Sequence, residues 1–287
     1  MSIFIFGGVY VLNILNKIEH IDIKEENLGV NTELTQEEQN LRNIALFGID
    51  STTSEGRSDA IMILTLDEKH NKVKLTSIMR DSYVNVNGKK DKINHAYAYG
   101  GPELAIKTIN ENFGLNIKDF ISVNFNSLAA IIDEMGGVQL RITEEEVPHI
   151  PGISAPGVYN LTGQQALAYS RIRYATGGDY QRTQRQRNLM QGMYEGFRYT
   201  EIMEYPGLIS SFLPYVTSNM SGTEMIKIGT EYGNIMSSGM DQYRFPRDGE
   251  GKNKTLNGIY YLEYDIKKAG EAMRAYIFDD QKLPFEK

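Results

Sequence analysis

The sequence contains no cysteine. This absence excludes a disulfide, a thiol nucleophile and a zinc site with cysteine ligands. Histidine is scarce, with 4 residues in 287, and the spacing of these histidines matches no metal motif. Basic residues do not predominate either, since 30 lysines and arginines stand against 37 acidic residues, for a net charge of −7. Nucleic-acid-binding domains are usually basic, so we expect no nucleic-acid partner.

A full-length membrane span is also missing from the apolar N-terminal stretch. MSIFIFGGVYVLNILN carries no charge, but it is shorter than the about 20 apolar residues that cross a bilayer. No basic residue precedes it and no clear cleavage site follows it, so a cleaved signal peptide is not predicted. Residues 19–42 are polar and are predicted to form a tether. We therefore expect residues 1–18 to be a membrane anchor, shortened at its cytoplasmic end; a buried helix or strand is the alternative.

Apolar strand patterns alternate with helical patterns along the rest of the chain. Residues 43–49 predict a buried strand, and residues 60–66 and 72–79 predict a hairpin across the polar turn DEKHNK. A helix is predicted at 102–114, between a proline and a glycine. Further strands are predicted at 120–125, 138–142 and 260–264, and further helices at 126–137, 162–171, 180–198, 223–236 and 266–278. The alternation predicts an α/β fold, a mixed sheet with helices on both faces, in one domain over residues 43–287.

Arginines are concentrated in Tyr169–Asn188, YSRIRYATGGDYQRTQRQRN. Arg171 and Arg173 end one predicted helix, and Arg182 lies in the first turn of the next, for which Asp179 is the predicted N-cap. The arginine side chain matches phosphate oxygens, and a helix N-terminus attracts anions. We therefore expect these arginines to bind a phosphate-containing ligand.

Two further arginines of this stretch have a simpler interpretation. Arg185 and Arg187 follow Arg182 at spacings of three and five residues. Side chains at these spacings on a helix cannot all face one ligand. Arg185 and Arg187 are therefore predicted to lie on a solvent-exposed helix face.

Two aspartates flank the loop between the first two predicted strands. Asp50 follows the first strand, Asp59 begins the second, and Arg57 lies between them. Two carboxylates at neighbouring strand ends suit Mg²⁺, which takes one or two carboxylates together with phosphate oxygens and water. From these residues alone the better prediction is ordinary turn and cap residues, where aspartate is common.

Charged residues also follow the strand of residues 72–79. Arg80 and Asp81 come directly after it, where a salt bridge is common and where open sheets also place ligands. Lys92 and His95 follow in KINHAYAYGG, and His95 is predicted to be structural.

Five segments together resemble the LytR-CpsA-Psr family of cell-wall glycopolymer ligases. In chain order they are LFGIDSTTSEGRSDAIMILTL, LTSIMRDSYV, KINHAYAYGGPELAIKTI, VNFNSLAAIIDEMGGV and LTGQQALAYSRIRY with GDYQRTQRQR. The resemblance covers residues 43–200 and is weak beyond them. Family members have a single N-terminal membrane span and an extracytoplasmic α/β/α domain in Gram-positive bacteria, with an apolar tunnel for a prenyl chain.

The resemblance implies transfer of a phosphoglycan from a polyprenyl-diphosphate-linked donor to a hydroxyl of peptidoglycan, with Mg²⁺ as cofactor. Two alternatives are a polyprenyl-diphosphate hydrolase, which uses water as the acceptor, and a non-catalytic binder or regulator of anionic cell-wall polymers. The regulator is disfavoured if it acts on DNA, because of the net charge of −7.

By motif position, the resemblance also assigns residue roles. Asp50 and Asp59 are the implied metal ligands, and Asp179 and Gln186 are implied to orient the arginines or the metal. The implied ligands of the diphosphate are Arg57, Arg80, Arg171, Arg173 and Arg182. Asp81, beside Arg80, is the predicted base that accepts the proton of the acceptor hydroxyl.

Overall fold

The computed structural model describes residues 18–173, 178–236 and 238–282. The chain divides into two compact units: unit 1 is Met1–Ile21 with Val123–Ser237, and unit 2 is Asp22–Ser122 with Ser238–Lys287. No helix within the described ranges is long and apolar enough to span a membrane. The predicted anchor at residues 1–18 lies outside the described residues, except for residue 18.

The described residues form strands of 2 to 10 residues and helices of up to 21 residues. The strands are β1 (Glu19–His20), β2 (Arg42–Ile49), β3 (Ser58–Asp67), β4 (Lys72–Ile78), β5 (Tyr83–Val86), β6 (Lys89–Lys92), β7 (Asp119–Asn124), β8 (Val138–Ile142), β9 (Gly157–Leu161), β10 (Thr217–Ser218), β11 (Met240–Phe245), β12 (Lys252–Leu256) and β13 (Ile259–Glu263). The α-helices are α1 (Gln36–Asn40), α2 (His95–Phe113), α3 (Phe125–Glu134), α4 (Gly163–Ser170), α5 (Gly178–Arg198), α6 (Tyr205–Phe212), α7 (Gly222–Glu231), α8 (Gly233–Met236) and α9 (Ile266–Asp279).

The sheet of unit 2 has the strand order β7-β2-β3-β4-β11. The pairs β2–β3 and β3–β4 are antiparallel, whereas β4 and β11 are parallel, so the sheet is mixed. The predicted α/β fold with a mixed sheet and helices is confirmed. The predicted hairpin is confirmed as well, with Asp67 paired to Lys72 at its turn. Strand β11 was not predicted, because its partner β4 is distant in the sequence.

Helix α2 differs from the prediction at its N-terminus. It begins at His95 and not at Pro102, and its backbone is non-helical at Gly100 and Gly101. Gly101 has a φ of 62°, which suits glycine, and the break comes directly before the proline. Gly114 ends the helix at a φ of 70°, as predicted from its position.

The segment predicted as a polar tether contains structured residues of unit 2. Leu28 is almost fully buried, and its carbonyl oxygen accepts a hydrogen bond of 2.9 Å from Asn110 Nδ2. The Asn31 amide donates to the Leu115 carbonyl at 2.9 Å. Thr35 and Glu38 form a capping box at α1. Residues 22–42 are therefore packed against the helix α2 region by local and non-local contacts.

A hydrophobic cluster in unit 1 joins the β8–β9 hairpin to the helices α3, α4 and α5. It includes Ile132, Val138, Leu161, Tyr169 and Leu189, all of them almost fully buried. Helix α4 begins with the predicted capping box, in which Thr162 and Gln165 exchange hydrogen bonds. In this cluster Tyr169 and Ile172 fix the C-terminal end of α4, and Leu189 fixes the middle of α5.

Lys74 on strand β4 forms a buried ion pair with Asp67 at the end of β3 and also bonds to the last turn of α9 in unit 2. Lys74 has no exposed side-chain surface, and its Nζ lies 2.6 Å from Asp67 Oδ2 and 3.1 Å from the carbonyl oxygens of Tyr276 and Ile277. A cation at this end of a helix is favourable, because the last carbonyls lack intrahelical partners. Burial alone would raise the pKa of Asp67, but hydrogen bonds from Lys74 and His70 keep it below its ordinary value.

Lys74→Met is expected to lower the free energy of unfolding by about 3–5 kcal/mol, because it leaves the Asp67 carboxylate buried without its cation. Lys69→Met is the matched control, since Lys69 is exposed beside the same turn, and it should leave the denaturant midpoint unchanged. Urea unfolding at neutral pH measures both. The stabilisation that Asp67 provides is present above pH about 4 and is lost as pH falls through its lowered folded-state pKa. A Lys74→Met protein as stable as the parent would contradict the buried ion pair.

Candidate functional site

Asp59 and Arg80 form an ion pair in unit 2, and the β3–β4 hairpin places them together. Ile61 pairs with Ile78 in the antiparallel register, so Asp59 and Arg80 are opposite each other two residues further on. Arg80 Nη1 donates a hydrogen bond to Asp59 Oδ2. Both side chains are mostly buried. Asp59, a predicted metal ligand, is therefore in direct contact with Arg80, which is predicted to bind the diphosphate.

Asn94 is a second partner of Asp59 and was not identified from the sequence. Its Nδ2 lies 3.3 Å from Asp59 Oδ1, and its backbone amide donates to the Arg80 carbonyl at 3.2 Å. Its Oδ1 is buried and has no hydrogen-bond partner among the described residues. The only signal in the sequence was its place in KINHAY, directly before His95.

Asp81 lies between two cations. Lys92 Nζ donates to Asp81 Oδ1 at 2.7 Å, and Arg80 Nε lies 3.4 Å from Asp81 Oδ2. The Asp81 side chain is largely buried. The carboxylate therefore holds Arg80 in place, which is a positioning role beside its predicted role as a base. His95 bonds to Asp91, with 3.0 Å between Nδ1 and Oδ1, in keeping with a structural histidine.

Asp50 and Arg57 close the loop between β2 and β3. The Asp50 amide donates to the Arg57 carbonyl at 2.9 Å, and the Arg57 side chain is exposed. No group of three or more histidine or acidic side chains in the described ranges is placed to hold a metal ion. Asp59, Asp50 at the end of the neighbouring strand β2 and the unpartnered amide oxygen of Asn94 offer only oxygen donors. Such a set fits Mg²⁺ when phosphate oxygens and water complete the coordination.

The arginines of unit 1 fall into an exposed and a buried group. Arg171 and Arg173 are exposed, and the Arg171 guanidinium lies over the Phe125 ring at 4.3 Å. Arg182 is almost fully buried and pairs with Asp179, with 3.0 Å between Nη2 and Oδ1. Because α5 begins at Gly178, Asp179 lies inside the first turn, and its prediction as the N-cap was wrong.

The prediction of a solvent-exposed face at Arg185 and Arg187 was also wrong, since both are buried. Arg185 Nε donates to Glu146 Oε1 at 2.7 Å, and the Glu146 side chain is equally buried. Arg187 donates to Gln184. Gln186, between them, is half-buried. The partner Glu146 is 39 residues away, which is why helix spacing alone did not identify the pair.

Sequence comparison identifies close relatives over most of the chain. The TagU protein of Bacillus anthracis, named polyisoprenyl-teichoic acid–peptidoglycan teichoic acid transferase, is 32% identical over 89% of this chain and 86% of its own length. A structure from Enterococcus faecalis, described as a transcriptional regulator, is 27% identical over 84% of this chain and 89% of its own, with a TM-score of 0.70.

The structure of TagT with bound octaprenyl pyrophosphate lipid shares this fold. Its TM-score is 0.69, it is 21% identical, and the match covers 90% of this chain and 99% of that chain. The LytR_cpsA_psr family model matches residues 9–276, so the match continues well beyond the weak resemblance expected after residue 200. The chain therefore belongs to the LytR_cpsA_psr family.

Proposed function

We propose that this protein transfers a phosphoglycan from a polyprenyl-diphosphate-linked donor to a hydroxyl of peptidoglycan. The acceptor oxygen attacks the phosphorus that carries the glycan, the bond to the second phosphate breaks, and polyprenyl phosphate leaves. The single observation that carries this proposal is the 32% identity to the TagU transferase over 89% of the chain. The octaprenyl pyrophosphate bound to TagT supports the lipid part of the donor.

The unit 2 residues suit a reaction of this type. Phosphoryl transfer needs positioned positive charge on the phosphate oxygens more than it needs covalent help from the protein. Arg80 supplies such a charge and is held from two sides by Asp59 and Asp81. Arg57, in the adjoining loop, is exposed and able to reach a ligand in solution. These two arginines bind the diphosphate, and Asp81 accepts the proton of the acceptor hydroxyl.

The arginines of unit 1 keep the diphosphate-binding role that the sequence predicts. Arg171 and Arg173 present their charge to solvent, which suits direct contact with phosphate oxygens. Arg182 is held by Asp179, which supports the predicted orienting role of that carboxylate. Gln186 acts in the same set as an orienting residue.

Asp50 and Asp59 would hold Mg²⁺. When bound, the ion supplies charge neutralisation to the phosphate oxygens. Asp59 also accepts hydrogen bonds from Arg80 and Asn94, which fix its carboxylate in place. We place the protein at the cell membrane, anchored by residues 1–18, with the catalytic part outside the cytoplasm of a Gram-positive bacterium.

Reconstitution with a defined lipid-linked donor and peptidoglycan oligomers tests the function. The expected product is a glycan joined to peptidoglycan by a phosphodiester, together with polyprenyl phosphate. Omission of peptidoglycan should stop turnover of the donor. Release of polyprenyl phosphate at the same rate without peptidoglycan would show a hydrolase instead.

Exposed and buried arginines should respond differently to substitution. Arg171→Ala and Arg173→Ala should each weaken binding of octaprenyl diphosphate about tenfold or more, because a charge-assisted contact is worth roughly 1.5–3 kcal/mol. Neither should change the unfolding midpoint. Arg185→Ala is the contrasting variant: it leaves Glu146 buried without its partner and should cost about 3–5 kcal/mol of folding stability. Lipid titration and urea unfolding measure the two effects, and unchanged lipid binding in both exposed-arginine variants would remove them from the site.

Asp50→Asn and Asp59→Asn should each weaken metal binding at least about tenfold. The electron paramagnetic resonance signal of free Mn²⁺, measured with octaprenyl diphosphate present, reports this affinity without relying on turnover. Glu55→Gln is the matched control, since Glu55 is an exposed acid in the same loop. Full transfer in excess chelator, or unchanged Mn²⁺ binding in both aspartate variants, would exclude the metal.

A further inference from the structure

Large apolar side chains are exposed at two places in the described part of unit 2. One is Tyr99, 65% exposed near the start of α2, and the other is the β12–β13 hairpin, where Leu256, Ile259 and Tyr260 are exposed. Monomeric proteins usually expose such side chains singly, and a group of them marks an interaction surface. We use the name tyrosine face for the exposed Tyr99 and Tyr260, together with the half-buried Tyr83 and the largely buried Tyr261 beside them.

The tyrosine face is continuous with Asp81. The Leu262 amide, next to Tyr261 on β13, donates to the Asp81 carbonyl at 2.8 Å. Lys92, which bonds to the Asp81 carboxylate, lies over the rings of Tyr260 and Tyr261 at 5.8 and 5.7 Å. A ligand on the exposed Tyr260 ring is therefore separated from the predicted base by the Lys92 side chain alone.

Hydrogen-bonding groups lie at the edges of the rings. The Tyr99 hydroxyl donates to Asp91 Oδ2 at 2.9 Å, and the Tyr260 hydroxyl donates to Asn253 Oδ1 at 3.0 Å. Tyr83 packs against Tyr261 with 4.8 Å between ring centroids. Burial raises the pKa of the Tyr261 hydroxyl, and the negative charge of Asp91 raises it further. Because Asp91 also bonds to Tyr99, it interacts with both Tyr99 and strand β13.

The charges around the face nearly balance. Its cations are Lys92, Lys252 and Lys254, and its acids are Asp81, Asp91 and Glu263. A polyanion would gain little from this balance, because it would meet as many acids as cations. A hydrocarbon chain would cover the rings but would take water from the polar groups at their edges. The chemistry fits a ligand with apolar C–H faces and hydroxyl edges, which is a saccharide.

We propose that the tyrosine face binds the glycan strand of peptidoglycan, as the acceptor subsite of the transferase. This inference rests on the proposed function, since it assigns the acceptor of that reaction. Sugar rings stack on Tyr99 and Tyr260, and their hydroxyls bond to the polar groups at the ring edges. Binding there brings an acceptor hydroxyl towards Asp81 and converts a bimolecular encounter into a positioned one.

The test uses the full chain and a soluble, uncrosslinked peptidoglycan glycan oligomer of defined length. Tyr99→Ala and Tyr260→Ala should each weaken binding of the oligomer roughly tenfold, because each removes one stacking ring. Tyr99→Phe and Tyr260→Phe retain the ring and should retain most of the affinity. Tyr199→Ala is the matched control, since Tyr199 is 80% exposed but lies in unit 1. Thermal unfolding of each variant verifies the fold.

Binding of octaprenyl diphosphate should be unchanged in all five variants. If the alanine variants lose binding of octaprenyl diphosphate, the tyrosine face is a donor surface and the proposal is overturned. The proposal is also overturned if they lose binding of a glycerol-phosphate polymer but retain binding of the oligomer. Oligomer binding equal to that of the parent in both alanine variants would also overturn it. The proposed function is judged separately, by the product of the reconstituted reaction. If the parent forms the phosphodiester product but the alanine variants bind the oligomer normally, only the acceptor subsite is refuted. If the alanine variants lose oligomer binding but the parent forms no product, only the transfer reaction is refuted.

Discussion

The antiparallel register of β3 and β4 is the constraint on which the unit 2 site depends. It places Asp59 opposite Arg80, and every further contact of the site is built on that pair. Asn94 bonds to the carboxylate on one side, and Asp81 holds the guanidinium on the other. A slip of one residue would turn Asp59 to the other face of the sheet and abolish the arrangement. The buried turn at Asp67 and Lys74 stabilises the same hairpin at its far end, so stability at that turn supports geometry at the site.

Carboxylates explain how an acidic chain keeps so many arginines close together. In unit 1 the buried Arg185 has Glu146, and Arg182 has Asp179. Arg171 lies over an aromatic ring and is exposed. Like charges at this density repel unless each has a partner, and burial increases that cost. The carboxylate partners therefore hold the buried guanidinium groups in place, whereas the exposed Arg171 remains accessible to an anionic ligand.

Local signals in the sequence predicted much of the fold, and non-local pairing was missed. The β3–β4 hairpin, the capping box at Thr162 and the glycine end of α2 depend on residues close in sequence. Strand β11 pairs with a strand about 170 residues earlier, and no local pattern indicates that. The same holds for the candidate site. Its charged residues were identified from the family motifs, whereas the contact of Asn94 with Asp59 and the Arg185–Glu146 pair were found only in the structure. The opposition of Asp59 and Arg80 was within reach of the sequence, because the hairpin turn sets the register.

Arginines that bind the diphosphate do not by themselves make the protein a transferase. They neutralise the phosphate oxygens equally well whether water or a sugar hydroxyl is the acceptor. The choice of acceptor depends on what is held beside the phosphorus, since a positioned hydroxyl competes with water at a large effective concentration. Asp81 is largely buried and held by Lys92, so bulk water has limited access to it. The rings of Tyr260 and Tyr261 lie next to the same lysine. Lys92 therefore connects Asp81 to aromatic side chains, which favour the C–H face of a saccharide. A glycan held on these rings would keep its acceptor hydroxyl near Asp81 at a higher effective concentration than water, and this is the physical reason to expect glycan transfer, and not hydrolysis, from this site.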